Sequence, residues 1–265
     1  MTATPASLMS LLNLDLIRDT HISKIAAVQG HGLHRGTEFR DRAHWASRAS
    51  QVQTWCKSDR SELLFIQGKE SSESTSPLSY LVSQIHEDLQ DQKDTLVLSF
   101  FCGRDTISQT NPDTTGPMDL VRAMLAQILA LRKTADIIDG KGRSPSSLLL
   151  NDQIMGMKDG NLSAYMAVIS ALVLELQVHL KAIFILVDGI DFFHSDWEDE
   201  VQEVIQGLSR VAFQRRGLIG GPLKVLFTAS TPSHCFEPST RIPVVLEMPK
   251  DIKAHADFAK FGRFS

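Results

Sequence analysis

Residues 63–90 run LLFIQGKESSESTSPLSYLVSQIHEDLQ. Leu63 to Ile66 is apolar throughout and has polar residues on both sides, the pattern of a strand buried on both faces. Gly68 ends the run, and a Ser/Glu-rich loop continues to Ser76. Pro77 suits the first turn of a helix, where its missing N–H would have no intrahelical partner. Leu78, Leu81, Val82, Ile85 and Leu89 then recur at intervals of three and four, so 77–90 is an amphipathic helix. The stretch is one strand–loop–helix unit, the brick of a parallel α/β sheet.

The same alternation continues downstream. Thr95–Phe101 is a second strand, and Met118–Leu131 a helix. Asn161–Leu180 is an apolar helix interrupted by Ser170, Glu175, Gln177 and His179, which favours a buried helix over a membrane span. Ala182–Val187 is a third strand, Trp197–Phe213 a helix, and Leu223–Thr228 a fourth strand. Ile242–Leu246 is a fifth, with Pro243 placing it at an edge or a strand start. Residues 103–117 are expected to be a loop, and 133–160, mixed in character, to hold a long surface loop with Gly140, Gly142 and Pro145. Apolar strands alternating with helices predict an α/β fold, a mainly parallel sheet with helices on both faces and right-handed crossovers.

Upstream of the deciding stretch, residues 1–60 are expected to form a helical lead. Met1–Leu16 carries Leu8, Met9, Leu11, Leu12, Leu14 and Leu16 at helical spacing. It lacks a basic start and is interrupted by Asp15, so it is an amphipathic packing or docking helix and not a signal peptide. Asp41–Lys57 is expected as one helix, and His31 and His34 in a Gly-rich turn. Residues 61–250 form the expected α/β domain. Residues 251–265 form a short helical tail with Phe258, Phe261 and Phe264 on one face.

The whole chain has 265 residues, is 43% hydrophobic and carries a net charge of −4. That length supports one sizeable core. The charge argues against a phosphate-backbone binder, which needs surplus Lys and Arg, so no nucleic-acid partner is expected. A mean hydropathy of −0.06 argues against a multi-span membrane protein. Three widely spaced cysteines, Cys56, Cys102 and Cys235, fit reduced thiols and a cytoplasmic setting, and give no zinc spacing.

Ligands of parallel α/β folds sit at the carboxyl ends of the strands. A phosphate-binding loop has the form GxxxxGK[ST] between a strand and a helix. Laid on Gly68–Thr75, that pattern keeps Gly68 and the hydroxyl of Thr75. Glu73 replaces the second glycine and Ser74 the lysine. Glu70 and Glu73 put two carboxylates where a helix start would otherwise favour an anion. Lys69 lies in the loop, out of register. Phe184–Asp191 (FILVDGID) ends in acidic residues as a Mg²⁺-orienting strand does, with Asp188 in the metal position and Asp191 behind it. A strand followed by an Asp–Gly turn explains the same letters. Phe192 stands where a water-activating acid would serve. Leu223–Ser230 (LKVLFTAS) brings Thr228 to a strand end, as a phosphate sensor or as an ordinary terminus.

The order of these segments resembles the NACHT-like NTPase domain of fungal STAND proteins, of the nephrocystin-3-like N-terminal type. Leu120–Gln127 (LVRAMLAQ) adds to the likeness. Such members show GKPGSGKST where this chain has Gly68–Ser76, DGLDE where it has Asp188–Phe192, and TSRP where it has Thr228–Pro232. The resemblance implies a three-layer P-loop NTPase-like fold with a five-stranded sheet in the order 5-1-4-3-2. It also implies a degenerate nucleotide site at Gly68, Lys69, Ser74, Thr75 and Thr228, with Asp188 and Asp191 as remnants of the catalytic acids. If Mg·ATP binds, Thr75 and Asp188 hold the metal; no resident cofactor is expected. The winged-helix and repeat modules of that family are not expected in this chain.

The function so implied is an inactive pseudo-NTPase serving as a scaffold or regulatory interaction module with protein partners. The alternative is an active ATP- or GTP-dependent switch using Lys69 as its cation. A hydrolase built on Ser230 with His194 or His234 lacks the GxSxG elbow.

Overall fold

Five short strands carry side chains alternately to two opposite layers of helix, so the sequence runs that form them are apolar at nearly every position. The computed structural model describes residues 5–69, 75–102, 116–130, 151–193, 195–214, 220–231 and 244–249. The strands are β1 (Glu62–Gln67), β2 (Thr95–Phe101), β3 (Ala182–Asp188), β4 (Leu223–Ala229) and β5 (Val244–Glu247). All pair in parallel, in the order β2-β3-β4-β1-β5. Counted from the other edge this is 5-1-4-3-2, the order implied by the resemblance. β5 is an edge strand, as Pro243 suggested; Pro243 itself lies outside the described residues.

On one face Leu63, Phe65, Leu98, Ile183, Ile185, Val225 and Phe227 meet α1 (Pro5–Leu11), α6 (Pro117–Ala130), α8 (Leu162–Gln177) and α9 (Glu198–Gln214). On the other, Leu64, Ile66, Phe184, Leu186 and Leu226 meet α2 (Asp15–His34), α3 (Thr37–Arg48), α4 (Ser50–Lys57) and α5 (Pro77–Gln90). Trp55 of α4 sets its ring edge-on to Phe184 at 5.6 Å and donates its indole N–H to the Glu62 carbonyl.

Several expectations change at the amino end. Met1–Leu16 is not one helix. α1 closes in a Schellman turn, with Leu14 N–H on the Met9 carbonyl, Asn13 N–H on the Ser10 carbonyl, and Asn13 at φ 52°. Asn tolerates that left-handed conformation better than other non-glycine residues. Leu8, Met9, Leu12 and Leu14 are buried in the chain's own core, with Arg122 of α6 donating to the Leu12 carbonyl. Their apolar face is therefore occupied and not offered to a partner. His31 and His34 lie in the last turn of α2, not in a Gly-rich turn. Residues 41–57 break at Ala49, whose extended ψ of 133° separates α3 from α4 and lets Val52 and Trp55 drop onto the sheet. The carboxyl end of the mixed stretch 133–160 is α7 (Asn151–Lys158); Gly140, Gly142 and Pro145 of the expected loop lie outside the described residues. The tail 251–265 lies outside the described residues.

Candidate functional site

The candidate residues gather at the carboxyl ends of β1, β3 and β4, where the topology predicts a site. Gly68 follows β1 directly. Its N–H donates to the Ala229 carbonyl at 2.7 Å, and a Cβ added there would stand 2.7 Å from the Ser230 carbonyl oxygen. Glycine is therefore required by the close passage of the loop after β4, whether or not a phosphate is present.

Thr75 and Ser76 are buried at the foot of α5. Ser76 is the N-cap: its Oγ accepts the Ser79 N–H, and the Ser79 Oγ accepts the Ser76 N–H, each at 3.1 Å. This is a capping box, with serine in place of the usual Glu or Gln. Anion-binding helix starts work through free N–H groups of the first turn. Here Pro77 has no N–H and that of Ser79 is taken. The helix also begins after Ser76, beyond the position where the pattern would put the phosphate-binding hydroxyl, Thr75.

Asp188 ends β3 and is buried. The Thr228 hydroxyl donates to its Oδ1 at 2.6 Å, and the Gly189 N–H donates to the Thr228 Oγ1 at 3.1 Å. Gly189 sits at φ 70°, so the Asp–Gly turn foreseen as the plain explanation of these letters is present. Asp191 accepts from the Ser230 N–H (3.0 Å), the Thr231 N–H (2.9 Å) and the Thr231 hydroxyl (2.8 Å). Both acids thus tie the end of β3 to the end of β4. Phe192 packs half-buried against the core.

Lys69 is drawn the other way. Its Nζ lies 3.4 Å from Glu247 at the end of β5, with 45% of the lysine side chain and 64% of the glutamate's exposed. Such an exposed pair contributes little to stability, but it gives the cation a partner away from the β3–β4 ends. Glu70, Glu73, Ser74, His194, His234 and Cys235 lie outside the described residues. Among the described residues, no three acidic, His or Cys side chains are placed to hold a metal ion. No described helix is long and apolar enough to cross a membrane. Burial pushes the Cys56 thiol up to about 12, so it is no nucleophile at neutral pH.

The structure therefore joins Asp188 to Thr228 and brings Gly68 against the β4 end, but leads Lys69 away. Sequence reasoning missed the grip of Asp191 on the 230–231 turn, the Glu247 partner of Lys69, and two part-buried polar pairs. One is Lys224 with Glu62, 3.4 Å apart at the opposite end of the sheet. The other is His86 with Ser99, 2.6 Å apart. A charged residue inside LKVLFT was a readable signal for the first; nothing local announced the second.

In comparisons with known proteins, residues 41–229 match the family described as nephrocystin 3, N-terminal. The match opens within α3 and closes on the last residue of β4, and so takes in β1 to β4 and every candidate residue from Gly68 to Thr228. No curated protein and no solved structure matches the chain.

Proposed function

The chain belongs to the nephrocystin 3, N-terminal family, and we propose that it is a degenerate NACHT/STAND-type nucleotide-binding domain, an inactive pseudo-NTPase acting as a scaffold or regulatory interaction module for protein partners in the cytoplasm. The observation that carries this reading is the start of α5. The Ser76 cap and Pro77 remove two of the first three amides that would face a phosphate. The second glycine and the lysine of the loop are already replaced by Glu73 and Ser74. The remaining polar groups support the same reading. One Asp188 oxygen and the Thr228 hydroxyl satisfy each other, and Lys69 pairs with Glu247. These residues do not fit a Mg·nucleotide well. In this reading Gly68, Lys69, Ser74, Thr75 and Thr228 are the vestige of the nucleotide site. Asp188 and Asp191 are former catalytic acids kept as strand-end ties. Residues 61–250 form the module, with 1–60 as its helical lead.

Phosphate release from ATP and GTP tests the reading. Transition-state charge in phosphoryl transfer is stabilised mainly by placed cations. The purified chain is expected to release no more phosphate than a heat-killed control. Slow release that disappears in Lys69→Ala would instead establish the active switch.

A further inference from the structure

His86 of α5 and Ser99 of β2 face each other under the helix, with His86 Nδ1 2.6 Å from Ser99 Oγ. Ser99 is buried, and the Leu98 and Phe100 side chains beside it point to the opposite face of the sheet. The backbone of Ser99 is held as well. Gln127 of α6 accepts its N–H at 3.0 Å and donates to its carbonyl at 2.9 Å. β2 is the edge of the sheet, so Gln127 pairs the outward peptide group as a neighbouring strand would. One residue of the edge strand thus joins α5 to α6.

We infer that the His86–Ser99 pair is an acid-sensitive latch fastening α5, the helix that follows the 68–76 loop, onto the sheet edge. In the neutral tautomer with its proton on Nε2, the ring accepts the Ser99 hydroxyl at Nδ1. A second proton on the ring reverses that bond, leaves the buried hydroxyl hydrogen seeking another acceptor, and puts a cation against an apolar layer. Three charged groups on the elements packed here have partners of their own. Glu87 of α5 accepts from Gln29 at 3.0 Å, Lys24 of α2 lies over the Phe100 ring at 5.6 Å, and Arg122 of α6 donates to the Leu12 carbonyl. Asp88 stands next but one to His86 on α5 and is half-buried. Burial holds the His86 pKa below its ordinary value, and a hydrogen bond with Gln90 offsets this in part.

The sign follows from linkage. A histidine whose folded pKa is lowered takes up its proton more readily once released. The latch is therefore at full strength above pH 6.5 and weakens as pH falls from 6.5 toward the folded value. Hydrogen exchange of the whole chain between pH 7.5 and 5.0, corrected for intrinsic rates, reads this directly. Protection of α5 and β2 is expected to fall by up to about tenfold per pH unit, the limit for one proton. Protection of α9, across the sheet, is expected to hold. His86→Gln keeps an acceptor without titrating and is expected to flatten the response. An equal fall in His86→Gln, or no fall in the unsubstituted chain, overturns the latch. Should His86→Gln not fold, the NMR titration of the His86 Cε1–H decides: a midpoint below 6.5 with a concurrent shift of the Ser99 amide supports it, and a midpoint at or above 6.5 overturns it.

Discussion

The Thr228 hydroxyl donates to the Asp188 carboxylate at 2.6 Å, joining the ends of β4 and β3 inside the protein. The same oxygen of Thr228 accepts the Gly189 N–H, which fixes the turn that follows β3. The residue read as a phosphate sensor or an ordinary strand end thus ties the two strand ends together. Thr228→Val keeps the shape and removes both bonds, leaving a buried carboxylate and a buried N–H short of a partner. The expected loss is about 1–3 kcal/mol for each such group. Urea denaturation measures it, and an unchanged midpoint would refute the tie.

Gly68 and Gly30 make a matched pair. Gly68→Ala drives a Cβ to 2.7 Å from the Ser230 carbonyl, a backbone atom that cannot swing aside. Its expected cost is about 1–3 kcal/mol, the range for overpacking. Gly30 lies within α2, and a Cβ added there would meet nothing within 4 Å. Gly30→Ala is expected to stabilise by roughly 0.5–1 kcal/mol through helix propensity. Thermal melts of the two variants should move in opposite directions; movement in the same direction contradicts the packing described for the β1 end.

Lys224 tests the other end of the sheet. Its side chain is 1% exposed and Glu62, its partner at 3.4 Å, is 27% exposed. Glu62→Ala leaves a buried ammonium without its carboxylate, at an expected cost of about 3–5 kcal/mol. Lys224→Met removes the buried charge and leaves Glu62 partly solvated, so it should cost clearly less than Glu62→Ala. Burial lowers the Lys224 pKa, with Glu62 opposing. Stability from this group should therefore rise with pH from the folded value up to 10.5, and the rise should vanish in Lys224→Met. Chemical denaturation of both variants decides; equal losses would refute the asymmetry.

The strands were legible because burial on both faces leaves unbroken apolar runs, and LLFI, TLVLSFF, AIFILV and LKVLFT each fall within an observed strand. The helix 77–90 was legible to the residue, since Pro77 marks its start and Leu78, Leu81, Val82, Ile85 and Leu89 mark its face. The break at Ala49 was not, because alanine favours helix and the descent of Val52 and Trp55 onto the sheet is a tertiary contact. Nor was the turn at Asn13, where a short polar side chain in the left-handed region does the work often given to glycine. At the site, the order implied by the resemblance already set β3 beside β4 and β5 beside β1, but not the register that lets Thr228 reach Asp188. Nor did it show that the Lys69 side chain would turn toward Glu247 across the β1–β5 pair.

The proposed function requires that the ends of β1, β3 and β4 hold no nucleotide. Calorimetric titration of the full chain with Mg·ATP is then expected to show no saturable heat, meaning a Kd weaker than about 1 mM or roughly −4 kcal/mol of binding free energy. A micromolar Kd that is lost in Asp188→Ala would contradict it.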